Sequence, residues 1–172
     1  KTPEFLETSP TATVPCLKVG ECIVDESLHI MAWALAQNDP ENLMQMPTVG
    51  YSLMSTCDGT FKHALDRYKY PNRYPEIDPI ENRDAASSFI QELEQRLDGN
   101  LFGPDPKLAD FAILPFIRQF AHVDLDWFSA QPWEKTVVWL QNFKDSARFA
   151  AIMDKYPKWV NGDAPTYFPH QD

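Results

Sequence analysis

The sequence has little of three things that mark common functional classes: cysteine, positive charge and long apolar runs. Its three cysteines, Cys16, Cys22 and Cys57, are an odd set without C-x-x-C spacing or nearby histidines, which argues against a disulfide framework and a zinc site. The histidines are scattered without metal-ligand spacing, so no metal site is predicted; they are His29, His63, His122 and His170. A reducing cytoplasm is the simplest setting for this cysteine usage.

Positive charge is scarce, because 15 lysines and arginines stand against 25 aspartates and glutamates, for a net charge of −10. Non-specific nucleic-acid binding depends on lysines and arginines that neutralise phosphates, so it is not predicted. No apolar run approaches the ~20 residues that cross a bilayer, so no membrane segment is predicted either. The acidity is typical of a soluble cytoplasmic surface.

Aromatic side chains are abundant, with five tryptophans, six tyrosines and eleven phenylalanines in 172 residues. With 44% hydrophobic residues, the composition favours a folded interior over disorder. The chain is long enough for one substantial core, or for one domain and part of another.

The most informative motif is a proline at the entrance to a short strand. Val14-Pro15 leads into a strand, a turn at Val19-Gly20 leads to a second strand over about residues 21–24, and a helix follows to about residue 36. Asp25 is the predicted N-cap of this helix, which places Glu26 and Ser27 in its first turn.

This arrangement suits an amino-acid head group. The free N–H groups of the helix start and the Ser27 hydroxyl suit a carboxylate, and Glu26 suits an α-ammonium group. The Val14 backbone can pair with an extended peptide, as an added strand would. The alternative is ordinary helix-start chemistry for Glu26 and Ser27 and an edge-strand proline with a trans bond at Pro15.

Beyond the turn-forming stretch NDPEN at 38–42, every periodic segment is helical. Helices are predicted over about residues 48–69, 79–97, 108–121, 133–143 and 146–156, with an irregular tail from Pro157. A stripe of Leu53, Cys57, Phe61, Leu65 and Tyr68 is expected to face the core of the first of them.

The start of the helix at 108–121 is unusual, because Lys107 stands where a capping serine or threonine is common and cannot accept a backbone N–H. Asp105 is the predicted substitute cap, with Pro106 at the first helical position. Asp110 is predicted to be structural rather than catalytic. Arg118 is expected to pair with Asp110 or Asp84. Four further residues either line an acceptor pocket or belong to the packing of the bundle: Arg67, Tyr68, Tyr70 and Trp127.

The strand-proline-strand-Glu-Ser-helix module resembles the second half of the thioredoxin-like domain of cytosolic glutathione S-transferases. The segment KTPEFLETSP at 1–10 resembles the approach to the proline strand in omega-like, cysteine-type members. LDRYKYP at 65–71 and LADFAILPFIRQFA at 108–121 resemble the all-helical second domain of a bacterial branch.

The resemblance implies an α+β, mostly α, fold. Residues 1–37 are expected to be the C-terminal part of a thioredoxin-like glutathione-binding domain, 38–47 a linker and 48–172 an all-helical domain. The resemblance also implies that the bond before Pro15 is cis, that Val14 pairs with the cysteinyl part of glutathione, and that Glu26 and Ser27 hold its γ-glutamyl end. Lys1 is expected to contact the glycyl carboxylate.

Members of this family begin with a strand, a helix and a strand that carry the catalytic Cys, Ser or Tyr. This chain starts beyond that point, with Lys1 rather than a methionine, so we expect a segment of a longer polypeptide to be absent and assign no catalytic residue. Two functions are predicted. One is a homodimeric transferase that uses glutathione as co-substrate on a small hydrophobic or disulfide substrate. The other is a non-catalytic binding or regulatory protein of the same fold.

Overall fold

The computed structural model describes residues 1–168, so His170 lies outside the described residues. The chain divides into two compact units. The first comprises Lys1–Asn38 together with the described part of the chain from Ala151, and the second is Asp39–Ala150. The predicted division at 1–37, 38–47 and 48–172 places the tail with the helical domain, whereas here the tail groups with the first residues of the chain.

The first unit contains a short helix, a β-hairpin and a longer helix. Helix α1 is Pro3–Thr8, strands β1 and β2 are Leu17–Val19 and Cys22–Val24, and helix α2 is Ser27–Gln37. The strands are antiparallel, with Leu17 opposite Val24. Gly20 has a φ of 58° in the turn between them, a conformation that glycine adopts without steric cost. Helix α1 was not predicted. The sequence does carry two signals of a helix start there, Thr2 as N-cap and Pro3 at the first helical position.

The second unit is built from helices. They are α3 (Thr48–Thr56), α4 (Lys62–Lys69), α5 (Pro79–Arg96), α6 (Leu108–Ala121), α7 (Leu125–Ser129), α8 (Glu134–Lys144) and α9 (Ala147–Ile152), whose last two residues are grouped with the first unit. The last two predicted helices are thus present, although α9 ends four residues earlier than expected. The described tail beyond 157 has neither helix nor strand, as predicted.

The helix predicted over 48–69 contains a wider turn. A π-helical segment, Cys57–Phe61, joins α3 to α4 without a break. The predicted apolar stripe repeats every four residues from Leu53 to Leu65. In a regular helix such a repeat drifts by ~40° per step, so the wider turn offsets part of the drift. All five members of the stripe are buried, as predicted.

Helix α6 spans the predicted residues 108–121, but its start is capped differently from the prediction. Its N-cap is Lys107, in an extended conformation, and Asp105 is exposed, so the prediction of Asp105 as cap and Pro106 as first helical residue is wrong. The acceptor comes from inside the helix instead. The Asp110 carboxylate accepts hydrogen bonds from the Lys107 N–H at 2.8 Å and from the Leu101 N–H at 2.9 Å. The α5–α6 loop and the start of α6 therefore share one buried acceptor.

A second helix start is capped from a neighbouring helix. The Glu94 carboxylate of α5 accepts hydrogen bonds from the backbone N–H groups of Lys135 (3.0 Å) and Thr136 (2.8 Å) and from the Thr136 hydroxyl (2.7 Å). These groups lie at the N-terminus of α8, where backbone donors have no partner within the helix. Glu94 thus ties α5 to α8.

The hydrophobic core lies in the second unit. All described hydrophobic residues that are buried fall between Leu43 and Leu140, and the aromatic rings of Phe61, Phe89, Phe120 and Phe128 pack together near its centre. The architecture is α+β and mostly helical, which confirms the predicted fold class. Within residues 1–168, no helix combines the length and hydrophobicity needed to cross a lipid bilayer.

Candidate functional site

The proline motif lies at an exposed turn before the hairpin. The Val14-Pro15 peptide bond is cis, as predicted, and Val14 is 71% exposed. Among the described residues, neither the N–H nor the C=O of Val14 takes part in a hydrogen bond. Its backbone donor and acceptor are therefore free for an extended ligand.

The hairpin brings the proline turn and the start of α2 to the same end. Because Leu17 pairs with Val24 in an antiparallel register, the residues before β1 and those after β2 leave the hairpin on one side. Val14 and Pro15 precede this pair by a few residues, and Glu26 and Ser27 follow it by a few. The structure thus places these four predicted site residues around one end of the hairpin.

The N-cap of α2 is Glu26, one residue after the predicted Asp25. Glu26 has an extended backbone (φ −105°, ψ 130°), and Ser27 is the first helical residue. No side chain caps the first turn, so its N–H groups are available to a carboxylate. Glu26 is exposed and Ser27 is half-buried, so both side chains are accessible.

Lys1 lies against the segment that leads to the proline turn. Its Nζ donates a hydrogen bond to the Ala12 carbonyl oxygen and lies 5.8 Å from the centroid of the Phe5 ring. Ala12 has a φ of 53°, in the left-handed region that few non-glycine residues adopt. The ammonium is thus held near the approach to Val14 and keeps further donors free.

The cysteines differ sharply in their surroundings. Cys22 is exposed, Cys16 is half-buried, and Cys57 is buried in the helical unit. Burial, with a smaller contribution from the Asp58 charge, raises the pKa of the Cys57 thiol to about 12. Cys57 is therefore a protonated core residue rather than a nucleophile. Among residues 1–168 there is no group of three His, Cys, Asp or Glu side chains that could hold a metal ion.

The four residues for which an acceptor pocket or bundle packing was predicted all make aromatic contacts; they are Arg67, Tyr68, Tyr70 and Trp127. Tyr68 is buried, with its ring 5.4 Å from that of Phe120, and Trp127 packs edge-on against Trp133 at 5.5 Å between centroids. The Arg67 guanidinium lies 4.8 Å from the centroid of the Tyr74 ring. Tyr70 has a cation on its ring as well, since the Arg73 guanidinium lies 4.3 Å from its centroid.

Asp110 is fully buried, and burial raises its pKa although the hydrogen bonds from Leu101 and Lys107 and the nearby Trp139 indole act in the opposite direction. The expected ion pair between Arg118 and Asp110 or Asp84 is not formed. Asp84 pairs with its neighbour Arg83 at 3.1 Å, and the Arg118 guanidinium lies over the Phe149 ring instead. The sequence alone does not predict this stacking, because Phe149 lies far from Arg118 in the chain.

Comparison with known families identifies the second unit. The model of the glutathione S-transferase C-terminal domain matches residues 64–161, which is more than half of the chain. The chain therefore belongs to the glutathione S-transferase family. No curated protein matches it.

Solved structures share its fold at low sequence identity. A glutathione S-transferase from Actinobacillus pleuropneumoniae is similar with a TM-score of 0.67 and 16% identity, over 86% of this chain and 70% of that one. The apo form of glutathione S-transferase III is also similar, with a TM-score of 0.67 and 16% identity, over 92% of this chain and 82% of the other.

Proposed function

We propose that this protein binds glutathione at the end of the hairpin in its first unit. The cysteinyl backbone of glutathione pairs with the free N–H and C=O of Val14, and the γ-glutamyl group lies at Glu26 and Ser27. The observation that carries the proposal is the antiparallel register, which sets the exposed cis-proline turn beside an uncapped helix start. Membership of the glutathione S-transferase family supports it.

Each contact has a physical basis. The γ-glutamyl carboxylate accepts hydrogen bonds from the first-turn N–H groups of α2 and from Ser27, where the helix dipole favours negative charge. The α-ammonium of the same group pairs with the Glu26 carboxylate. Lys1, held near Ala12, is the proposed partner of the glycyl carboxylate at the other end of the tripeptide.

The proposed activity is that of an omega-like, cysteine-type glutathione transferase in the cytoplasm. Such an enzyme transfers glutathione to electrophiles or carries out glutathione-dependent thiol reduction, and it gains rate by holding the glutathione sulfur beside the acceptor. The residues present here supply binding, and none of them is assigned as the nucleophile. Residues 1–37 and 48–172 act as the glutathione-binding and helical domains of this proposal, joined by 38–47.

A non-catalytic binding or regulatory protein of the same fold is the second candidate. One observation on the described residues favours it: Cys57 is inert in the core, and Cys16, next to the proposed glutathione site, is half-buried just before β1. Turnover of a standard electrophile or a mixed disulfide by the gene-encoded protein separates the two candidates. Binding without turnover supports the second one.

Calorimetric titration with glutathione tests the site. Replacing Ser27 by Ala removes a hydroxyl contact to a charged group, worth about 1.5–3 kcal/mol, so the dissociation constant should rise at least tenfold. Ser55→Ala, on the exposed face of α3, is the matched control and should leave it unchanged. Glu26→Gln should weaken binding several-fold, whereas Glu21→Gln, in the exposed hairpin turn, should not. If both Ser27→Ala and Glu26→Gln left the affinity for glutathione unchanged, the assignment of the glutathione site would be wrong.

The protein is also proposed to be a homodimer, as glutathione S-transferases generally are. In a two-fold dimer the same surface of each chain contributes to the interface. Sedimentation equilibrium at micromolar concentration checks this, and a monomer would count against it.

A further inference from the structure

A cleft of about 370 Å³ lies in the second unit where α4 and α6 end. It is lined by Lys69 of α4, by Arg118 and Gln119 in the last turn of α6, and by His122 and Val123 just after that helix. Its volume is at the lower end of the range for small-molecule sites. Three of its five lining side chains are basic, in a chain whose net charge is −10.

The positive charges of this cleft have no acidic partner. Four ion pairs are found among the described residues, and their basic members are Lys62, Arg83, Arg96 and Arg148. Lys69 donates instead to the Gln119 side-chain oxygen at 2.7 Å, a neutral acceptor that leaves its charge uncompensated.

Arg118 is held in place without a hydrogen bond from its Nε–H. The guanidinium carbon lies 5.3 Å from the centroid of the Phe149 ring, which orients the group by cation–π contact. The Nε atom is buried and has no hydrogen-bond partner in residues 1–168. Because Nε is closed to solvent, it is not the atom that a ligand would contact, and none of the ion pairs found among the described residues involves the Arg118 guanidinium.

Lys144, at the C-terminal end of α8, adds a positive charge close to His122. Desolvation lowers the pKa of His122, and the charges of Lys144, the last residue of α8, and Arg118 lower it further. Basic residues are common at helix C-termini because of the helix dipole. That preference accounts for one cation at each helix end, but not for the meeting of the ends of α4 and α6 around a cleft whose arginine has a buried Nε without a partner among the described residues.

We propose that this cleft binds the phosphate group of a small phosphorylated molecule. A guanidinium offers parallel N–H donors that match phosphate oxygens, and a lysine ammonium group attracts phosphate as a point charge that needs no particular orientation. The Gln119 amide and the His122 imidazole supply neutral hydrogen bonds, and Val123 gives an apolar wall for the rest of the molecule. The cleft lies wholly within the second unit, so its ligand is distinct from the glutathione proposed for the hairpin.

Pyrophosphate is the probe, titrated calorimetrically in buffer of low ionic strength. The protein should show saturable binding, and Arg118→Gln should raise the dissociation constant at least tenfold. Arg96→Gln is the matched control, because Arg96 is also in the last turn of its helix but is paired with Glu92 at 3.0 Å. It should change the dissociation constant by less than twofold. Equal effects of the two substitutions would overturn the proposal, as would the absence of saturable binding to the unmodified protein.

Two further measurements keep the test independent of folding and of the glutathione site. Lys144→Gln removes a half-buried charge at a helix end and should weaken pyrophosphate binding about threefold with unchanged circular dichroism. Ser27→Ala should leave pyrophosphate binding unchanged even where it weakens glutathione binding.

Titration with citrate distinguishes phosphate from carboxylate recognition. Binding of citrate as tight as that of pyrophosphate would overturn the phosphate assignment.

Discussion

The two units of this protein differ in how far their hydrophobic side chains are buried. In Asp39–Ala150, every helix from α3 to α8 contributes buried side chains, and large residues such as Ile90, Leu93 and Ile113 are completely buried. In the first unit, α2 is an eleven-residue helix with no buried residue, and the only described residue that is buried is Ser9. Val14, Leu6 and Trp33 are exposed there.

The difference separates the main source of stability from the proposed glutathione site. Hydrophobic burial contributes about 25 cal/mol per Å², so the helical unit carries the larger share of the folding free energy. The proposed glutathione contacts of the first unit are backbone groups, a helix start and exposed side chains. Substitutions there can therefore be tested for binding without unfolding the protein, whereas most substitutions along α5 or α6 act on stability first.

Thiol labelling should show the largest contrast between the units. With its pKa raised to about 12 from 9.0, Cys57 has a thiolate fraction about a thousandfold lower than an ordinary thiol at the same pH. We expect iodoacetamide at pH 8 to label the exposed Cys22 first and Cys57 only when the helical unit opens. Peptide mapping by mass spectrometry over time measures the order. Early labelling of Cys57 in the folded protein would contradict its placement in the core.

The same substitution should have unequal effects in the two units. Leu93→Ala removes a completely buried side chain from α5 and should lower the free energy of unfolding by about 2–5 kcal/mol. Leu6→Ala acts on a side chain that is 50% exposed in α1 and should cost under about 0.5 kcal/mol. Urea unfolding followed by circular dichroism measures both. Equal losses would mean that the first unit has a core of its own.

A smaller effect is expected at the start of α6. Asp110→Ala leaves the N–H groups of Leu101 and Lys107 without their acceptor and should lower the free energy of unfolding by about 1–3 kcal/mol. Asp105→Ala, at an exposed position, should change it by under about 0.5 kcal/mol. Lys107→Thr should raise stability by restoring a side-chain cap. If Asp110→Ala kept its melting temperature but lost turnover, the structural role predicted for Asp110 would be wrong.

Local chain chemistry predicted much of the architecture. The Val14-Pro15 turn, the hairpin at Gly20 and the long helices at 79–97 and 108–121 follow from proline, glycine and apolar spacing, which act over a few residues. The apolar stripe from Leu53 to Tyr68 is likewise buried as predicted. The short helices α1 and α7 escaped prediction because five or six residues carry too little periodicity to distinguish helix from loop.

Two of the predictions that failed concerned hydrogen-bond or charge partners that the packing selects. Asp105 was chosen as a cap by proximity, yet the acceptor is Asp110, which also binds Leu101 nine residues earlier. Arg118 was assigned an acidic partner because a buried charge usually has one, and it stacks on Phe149 instead. The cap that Glu94 provides to α8 joins residues about forty positions apart.

The sequence by itself determined the predominance of helices, the proline turn before the hairpin and the burial of the apolar stripe from Leu53 to Tyr68, because each depends on backbone preference or hydrophobic periodicity. The α+β class and the cis bond before Pro15 were expected from the family resemblance. Only the tertiary structure decided which carboxylate caps α6, which ring holds Arg118, and that the ends of α4 and α6 bring Lys69, Arg118 and His122 around one cleft. Hydrogen bonds need donor and acceptor within about 3 Å, and cation–ring contacts need about 6 Å, so their partners are chosen by packing rather than by position in the chain.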